Sequence, residues 1–188
     1  MIRETIVTTR SLDGEPHIAP MGATVIEGGY LLQPFRPSRT LDNLMATREA
    51  VLNFTDDVRL FAACVIGRRF PVDVRKATRV KGVRLSDALS HDEVSVDIIE
   101  DDPQRPKFHC RVVYSDGHRR FLGMNRAKAA VLEAAVLVSR LSMLADEKVD
   151  REMEYLAIAV EKTAGPEEFE AWGWLTEAIA EHRRKRAS

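Results

Sequence analysis

Apolar and polar positions along the first third of the chain alternate in short runs broken by turn residues. Asp13-Gly14 separates Ile6-Val7-Thr8-Thr9 from the run that begins at Ile18, and Glu27-Gly28-Gly29 separates Ala23-Thr24-Val25-Ile26 from Tyr30-Leu31-Leu32. Such turns between β-prone runs are hairpin signals, so the pattern predicts a three-stranded meander over about residues 4 to 35. A short helix follows over 40 to 50, because Thr40 can cap it, Asp42 suits its first turn and Leu41, Leu44 and Met45 share a face. A strand is expected at Val51-Leu52-Asn53-Phe54, then a largely buried second helix from Val58 to Ile66 ended by Gly67. The alternation of Val94, Val96 and Ile98 faces the run from Phe108 to Tyr114 across a Pro-containing turn at 102 to 106. An antiparallel pair that completes a barrel accounts for both.

Near residue 123 the period becomes helical. Ala127, Val131, Ala134, Val138 and Leu141 fall on one face, as do Val149, Met153, Leu156 and Val160 of a second helix. Pro166 starts a third, with Phe169, Trp172, Leu175 and Ile179 as its expected buried stripe. The fold class is therefore mainly β plus α: a β-barrel domain over 1–123 and a C-terminal helical subdomain over 124–188. Three short amphipathic helices bury little alone, so they are expected to pack on the barrel or across a dimer interface.

Composition narrows the function classes. The 188 residues carry 28 Lys and Arg against 29 Asp and Glu, so no global field attracts nucleic acid or an anionic membrane. The charge is instead local: 68 to 84 has seven basic residues against Asp73, and 91 to 102 has six acids and no Lys or Arg. With Phe70 as its one aromatic, the basic stretch lacks the stacking platforms of a single-strand binder and reads as a solvated face, a dimer contact or a partner of the acidic stretch. Cys64 and Cys110 form no disulfide framework and no metal-ligand spacing, which suits a cytoplasmic protein. Neither an export signal nor a membrane anchor is read near the start.

The segment from Gln33 to Leu44 carries the most chemistry. It leads from a strand end through a proline-stiffened turn into a helix whose first amides lack intrahelical acceptors. A phosphate there would meet those amides, the helix dipole, the hydroxyls of Ser38 and Thr40 and the guanidinium of Arg36 or Arg39. The same residues also fit a capped helix with two solvated arginines. On the second strand, Pro16-His17-Ile18-Ala19-Pro20-Met21-Gly22 is rich in prolines and small residues, which relax a ladder and let a flat ligand approach the backbone. A bulged edge strand is the alternative. His17 reads as a surface residue beside the apolar Ile18 and is kept among the candidate cofactor contacts.

The order of these pieces, from Asp13-Gly14 through Pro16 to Gly22, Pro34-Phe35, Thr40-x-x-Asn43-Leu44 and Val51 to Val58, resembles the proteins grouped as domain of unknown function 447. That family resembles the FMN-binding split-barrel superfamily, with the pyridoxamine phosphate oxidase and flavin reductase folds. The resemblance is densest over 1 to 67. It implies a homodimer with FMN near the subunit interface. Thr40 and Asn43, with Arg36, Ser38 and Arg39 nearby, would hold the phosphate and ribityl chain; Ala19, Pro20, Met21 and Gly22 would lie beside the isoalloxazine through their backbone, and Asn53 on the adjoining strand. A deazaflavin is the alternative cofactor that the resemblance leaves open.

Signatures of a hydrolase elbow, a zincin, a P-loop and a dinucleotide fold are all missing. His109 and Cys110 are neighbours on a strand and point to opposite faces, so they do not form a catalytic pair. Cys64 and Cys110 are expected to be structural, and the basic tail from His182 suits a helix C-terminus. The reading is an FMN-binding flavoprotein acting as an oxidoreductase on a small molecule, with an electron donor and an acceptor as partners. The alternatives are a non-enzymatic flavin-binding or protein-interaction module and a deazaflavin-dependent reductase. No side chain stands out as acid or base.

Overall fold

A computed structural model describes residues 1–187 and divides the chain into two compact units. The first comprises residues 1–55 and 71–121. The second comprises residues 56–70 and the chain from Leu122 onward. The sequence pattern places one boundary at 123/124, whereas the structure also groups the 56–70 segment with the C-terminal helices. The reason is apolar content: Val58, Ala62 and Ala63 are buried in one cluster with Ala130, Val131, Trp174 and Leu175.

The first unit is a closed antiparallel barrel of six strands in the order β1-β2-β3-β8-β7-β4. These are β1 (Ile2–Arg10), β2 (Pro16–Ile26), β3 (Gly29–Leu32), β4 (Glu49–Phe54), β7 (Ser90–Glu100) and β8 (Lys107–Gly117). The expected meander is β1, β2 and β3, and the expected antiparallel pair is β7 and β8. The β2–β3 turn needs its glycines: Gly28 has φ +72°, and a Cβ on Gly29 would stand 1.9 Å from the carbonyl oxygen of Cys110 on β8.

Period two sorts the strands into an inner and an outer face. Val7, Leu32, Leu52, Val94 and Phe108 form the inner core, and Leu41 and Leu44 of α1 (Arg39–Thr47) join the same cluster. Helix α1 is shorter than expected, because Arg48 adopts a left-handed conformation and β4 starts at Glu49. Its cap is Ser38 and not Thr40: the Ser38 hydroxyl accepts from the Leu41 amide at 3.2 Å, and Thr40 is buried inside the first turn.

The basic stretch holds a two-stranded hairpin that the sequence pattern does not predict, β5 (Val74–Lys76) and β6 (Val83–Leu85). Each strand has three residues, too few for a period to show. The outer face of β1 and β4 carries the hairpin. Thr8 donates to the Val83 carbonyl, and the Leu85 amide donates to Asn53 Oδ1 at 2.8 Å. Asn53 is fully buried and also donates to the Ile6 carbonyl at 2.9 Å, so one amide links β1, β4 and β6. Asn53→Ala leaves those partners unpaired in a dry site, and a loss of about 2 kcal/mol in urea unfolding is expected.

Pairing between the basic and acidic stretches does occur, but through the backbone. Glu93 on β7 is fully buried, and its carboxylate accepts from the amides of Thr78 (2.5 Å), Arg79 (2.5 Å) and Val80 (2.9 Å) in the hairpin turn. His91 Nε2 stands 3.3 Å from the same carboxylate, and its Nδ1 lies 2.9 Å from His118 Nε2.

The second unit contains α2 (Val58–Ile66), α3 (Arg126–Val138), α4 (Asp146–Thr163) and α5 (Pro166–Ala187). Asp57 caps α2 and Gly67 ends it in a left-handed turn. Asn125 caps α3 while donating to the Thr163 carbonyl, and Lys128 pairs with Asp56 at 2.5 Å. Two expectations are corrected. Leu141 lies beyond the end of α3, and the buried stripe of α5 runs through Ala171, Trp174, Leu175 and Ile179, with Phe169 exposed and Trp172 half-buried. Helix α5 turns this way because Trp174, not Trp172, meets Phe70 edge-on at 5.8 Å and carries Arg68 over its ring at 4.7 Å. Among the described residues no helix is long and apolar enough to cross a membrane.

Candidate functional site

The β2–β3 pairing leaves most of β2 uncovered on one side. Strand β2 pairs with β1 from Pro16 to Thr24, but β3 covers only Thr24 to Ile26. The other edge of Pro16 to Ala23 is thus left without a strand partner, and Ile18 to Gly22 are all half-buried. An unpaired edge presents alternate N–H and C=O groups that must find another partner. Pro16 and Pro20 lack the donor that would invite a further strand, which is where prolines are tolerated.

The start of α1 lies over the same end of β2. Thr9 and His17 are ladder partners, and Asn43 Nδ2 of α1 donates to Thr9 Oγ1 at 3.0 Å, so these side chains share the α1 side of the sheet. Burial, and after it the positive charge of Arg39, hold the His17 imidazole below its usual value of 6.5. His17 is therefore neutral at neutral pH, close to the Arg39 guanidinium.

The loop that feeds α1 is braced. The Arg36 amide donates to the Gln104 carbonyl at 2.9 Å, the Arg36–Pro37 peptide is cis, and Arg105 stacks over Phe35 at 4.4 Å while donating to the Gln33 carbonyl. Within it the two arginines differ. Arg36 is paired with Asp101 at 2.8 Å, whereas Arg39 has no carboxylate partner among the described residues.

The structure thus brings His17, Ser38, Arg39, Thr40 and Asn43 together and adds Thr9, which the sequence reading did not single out. No sequence signal marked it, because Thr5 to Thr9 are all buried, on both faces of β1. The remaining candidates are spread. Ala19 and Met21 are on the inner face of β2, Met21 against the core, while Pro20 and Gly22 alternate to the outer face. Asn53 is on that outer face with its amide occupied by Ile6 and Leu85. The shared feature of the β2 residues is the free backbone edge.

Neither thiol joins the site. Burial pushes Cys110 up to about 12 and raises Cys64 as well, so both stay protonated and inert at neutral pH. His109 is engaged with Glu100 at 2.7 Å on the face opposite Cys110. No group of His, Cys, Asp and Glu side chains able to hold a metal occurs among the described residues. The arrangement offers an anion site of helix amides, hydroxyls and one guanidinium without a carboxylate partner among the described residues, beside a strip of β2 backbone without a strand partner.

Two family models match the chain: "Protein of unknown function (DUF447) N-terminal domain" over residues 3–119, and "Protein of unknown function (DUF447)" over 125–177. The chain belongs to the DUF447 family. A DUF447 protein from Methanosarcina mazei, solved with FMN bound, superposes with a TM-score of 0.80 at 21% identity over 94% of each chain. Less similar are a 2-nitrobenzoate 2-nitroreductase from Pseudomonas fluorescens (TM-score 0.53, 19% identity, 61% of this chain and 64% of that one) and a putative flavin reductase from Haemophilus somnus (TM-score 0.51, 16% identity, 63% and 81%). This DUF447 chain therefore has the split-barrel fold of flavin-reductase-like proteins, and the M. mazei likeness extends through its helical part. No curated protein matches it.

Proposed function

We propose that this protein binds FMN along the free edge of β2, with the phosphate at the start of α1, and acts as an oxidoreductase on a small molecule. The observation that carries the reading is the unpaired edge of Pro16 to Ala23 beside a helix N-terminus with an uncommitted arginine. The donor set fits the group: Arg39 and the first amides of α1 suit a phosphate monoester, and Ser38 and neutral His17 can accept from or donate to ribityl hydroxyls. The unpaired edge of β2, with small or ring-limited side chains at Ala19, Pro20 and Gly22, suits a flat heterocycle. The FMN-bound relative and the reductase neighbours support the same assignment.

When bound, FMN would supply one- and two-electron transfer, and the chain's own residues bind and orient it. Arg36, held by Asp101, keeps the loop in place and leaves the phosphate to Arg39. Ile2 and Val25 stay exposed where the start of β1 pairs with the end of β2, which supports a homodimer; a mass of twice the monomer is expected in sedimentation. The oxidoreductase reading is tested by anaerobic mixing with NADH or NADPH. Bleaching of the flavin band, reversed by an added electron acceptor over repeated cycles, is the expected result. Bound flavin inert to both donors points instead to a binding module.

A further inference from the structure

A second cleft, of about 320 Å3, lies between the β1–β2 turn and the β5–β6 hairpin. Its cations are Arg10, Lys76 and Lys81, and its apolar walls include Pro16, Val80 and Val83. None of the three cations pairs with a carboxylate among the described residues. Arg10 is the most telling: its Nε is shielded from solvent without an acceptor, and its Nη1 reaches only the Ser11 carbonyl at 3.4 Å. Near Lys81, the Glu49 carboxylate is bonded to the Lys81 backbone amide at 2.9 Å.

A shielded guanidinium donor without an acceptor is rare because it loses water and gains nothing. Two lysines beside it add repulsion, which an anion in the cleft would reverse. The hairpin turn that brings Lys81 there is fixed by the buried Glu93 carboxylate, so the cations are held by the fold. The cleft is also separate from the α1 site. Arg10 and Pro16 are ladder partners, as are their neighbours Thr9 and His17, and successive residues of a strand point to opposite faces.

We propose that this cleft binds an organic phosphate, with the phosphate on Arg10, Lys76 and Lys81 and the organic body against Pro16, Val80 and Val83. Three cations, one with a forked guanidinium, match a dianion better than a single carboxylate. The site stands whether or not α1 holds a flavin.

Titration calorimetry of the full chain at low salt, with AMP, inorganic phosphate and adenosine as probes and with or without added riboflavin, tests this. AMP is expected to bind best, with affinity that falls as salt rises. Arg10→Gln, and separately the double change Lys76→Gln with Lys81→Gln, are each expected to weaken AMP by roughly tenfold or more. FMN uptake and the circular dichroism spectrum should be unchanged in both, and AMP affinity should be the same with riboflavin present. The proposal is overturned if AMP does not bind, or if both variants bind it as the parent does. Inorganic phosphate binding as tightly as AMP would remove the organic body from the proposal.

Discussion

Glu93→Gln is expected to lower the unfolding free energy by about 3 kcal/mol, because one side chain satisfies three backbone amides in a dry site. Oε1 accepts from Thr78 and faces His91, while Oε2 accepts from Arg79 and Val80. A glutamine in either orientation turns an NH2 donor toward an amide donor, so at least one bond becomes a repulsion. Against a typical domain stability of about 5–15 kcal/mol the loss is readily seen in urea unfolding. The hairpin amides of 78–80 should also exchange with solvent faster than those of the barrel core.

The same contact fixes a pH dependence. Burial alone would raise the Glu93 carboxyl, but the three amides and His91 outweigh it and hold it below its usual 4.5. A carboxyl lowered in the folded state contributes stability that is present above 4.5 and is lost as pH falls through the lowered value. His118 adds loss in the same direction from higher pH. Burial, and then Arg84 and His91, keep it below 6.5, so protonating it is harder in the folded chain than in the unfolded one. Stability should therefore decline in acid beginning below 6.5, and Glu93→Gln should flatten the part below 4.5.

Arg39→Ala is expected to raise the FMN dissociation constant by roughly 10- to 100-fold and to leave riboflavin within about threefold, because only FMN carries the phosphate. Arg36→Ala should change FMN binding little, since that guanidinium is already engaged with Asp101. Ser38→Ala removes the cap of α1 at a cost of about 1 kcal/mol and should weaken FMN less than Arg39→Ala does. Equal losses of FMN and riboflavin in Arg39→Ala would place the phosphate elsewhere.

Much of the barrel was legible because its strands are long enough for period two to show and are punctuated by Asp13-Gly14 and Gly28-Gly29. Helix α2 was legible over its full length, from Val58 to its end at Gly67. Its grouping with the C-terminal helices was not, since burial by a distant segment leaves no local mark. The β5–β6 hairpin was hidden by its three-residue strands and by the basic residues that made it look solvated. Its anchor was hidden as well, because Glu93 reads as one more acid in an acidic run.

At the candidate site, the segment 33–44 and the proline-rich strand were visible from residue types alone. What the sequence lacked was the third dimension. Thr9 joins Asn43 only once α1 lies over β1. Arg36 and Arg39 are equivalent in a string and differ only when Asp101 arrives from β7's far end. Asn53 looks like a ligand contact until Leu85 and Ile6 are seen on its amide.

The FMN assignment rests on the free β2 edge and the start of α1. The visible absorption spectrum of the freshly purified protein, repeated on the supernatant after denaturation, tests it most directly. Two flavin bands in the folded protein and released FMN in the supernatant are the predicted result. A single band at shorter wavelength would replace FMN with a deazaflavin. A colourless protein that also takes up neither added FMN nor a deazaflavin would contradict the account.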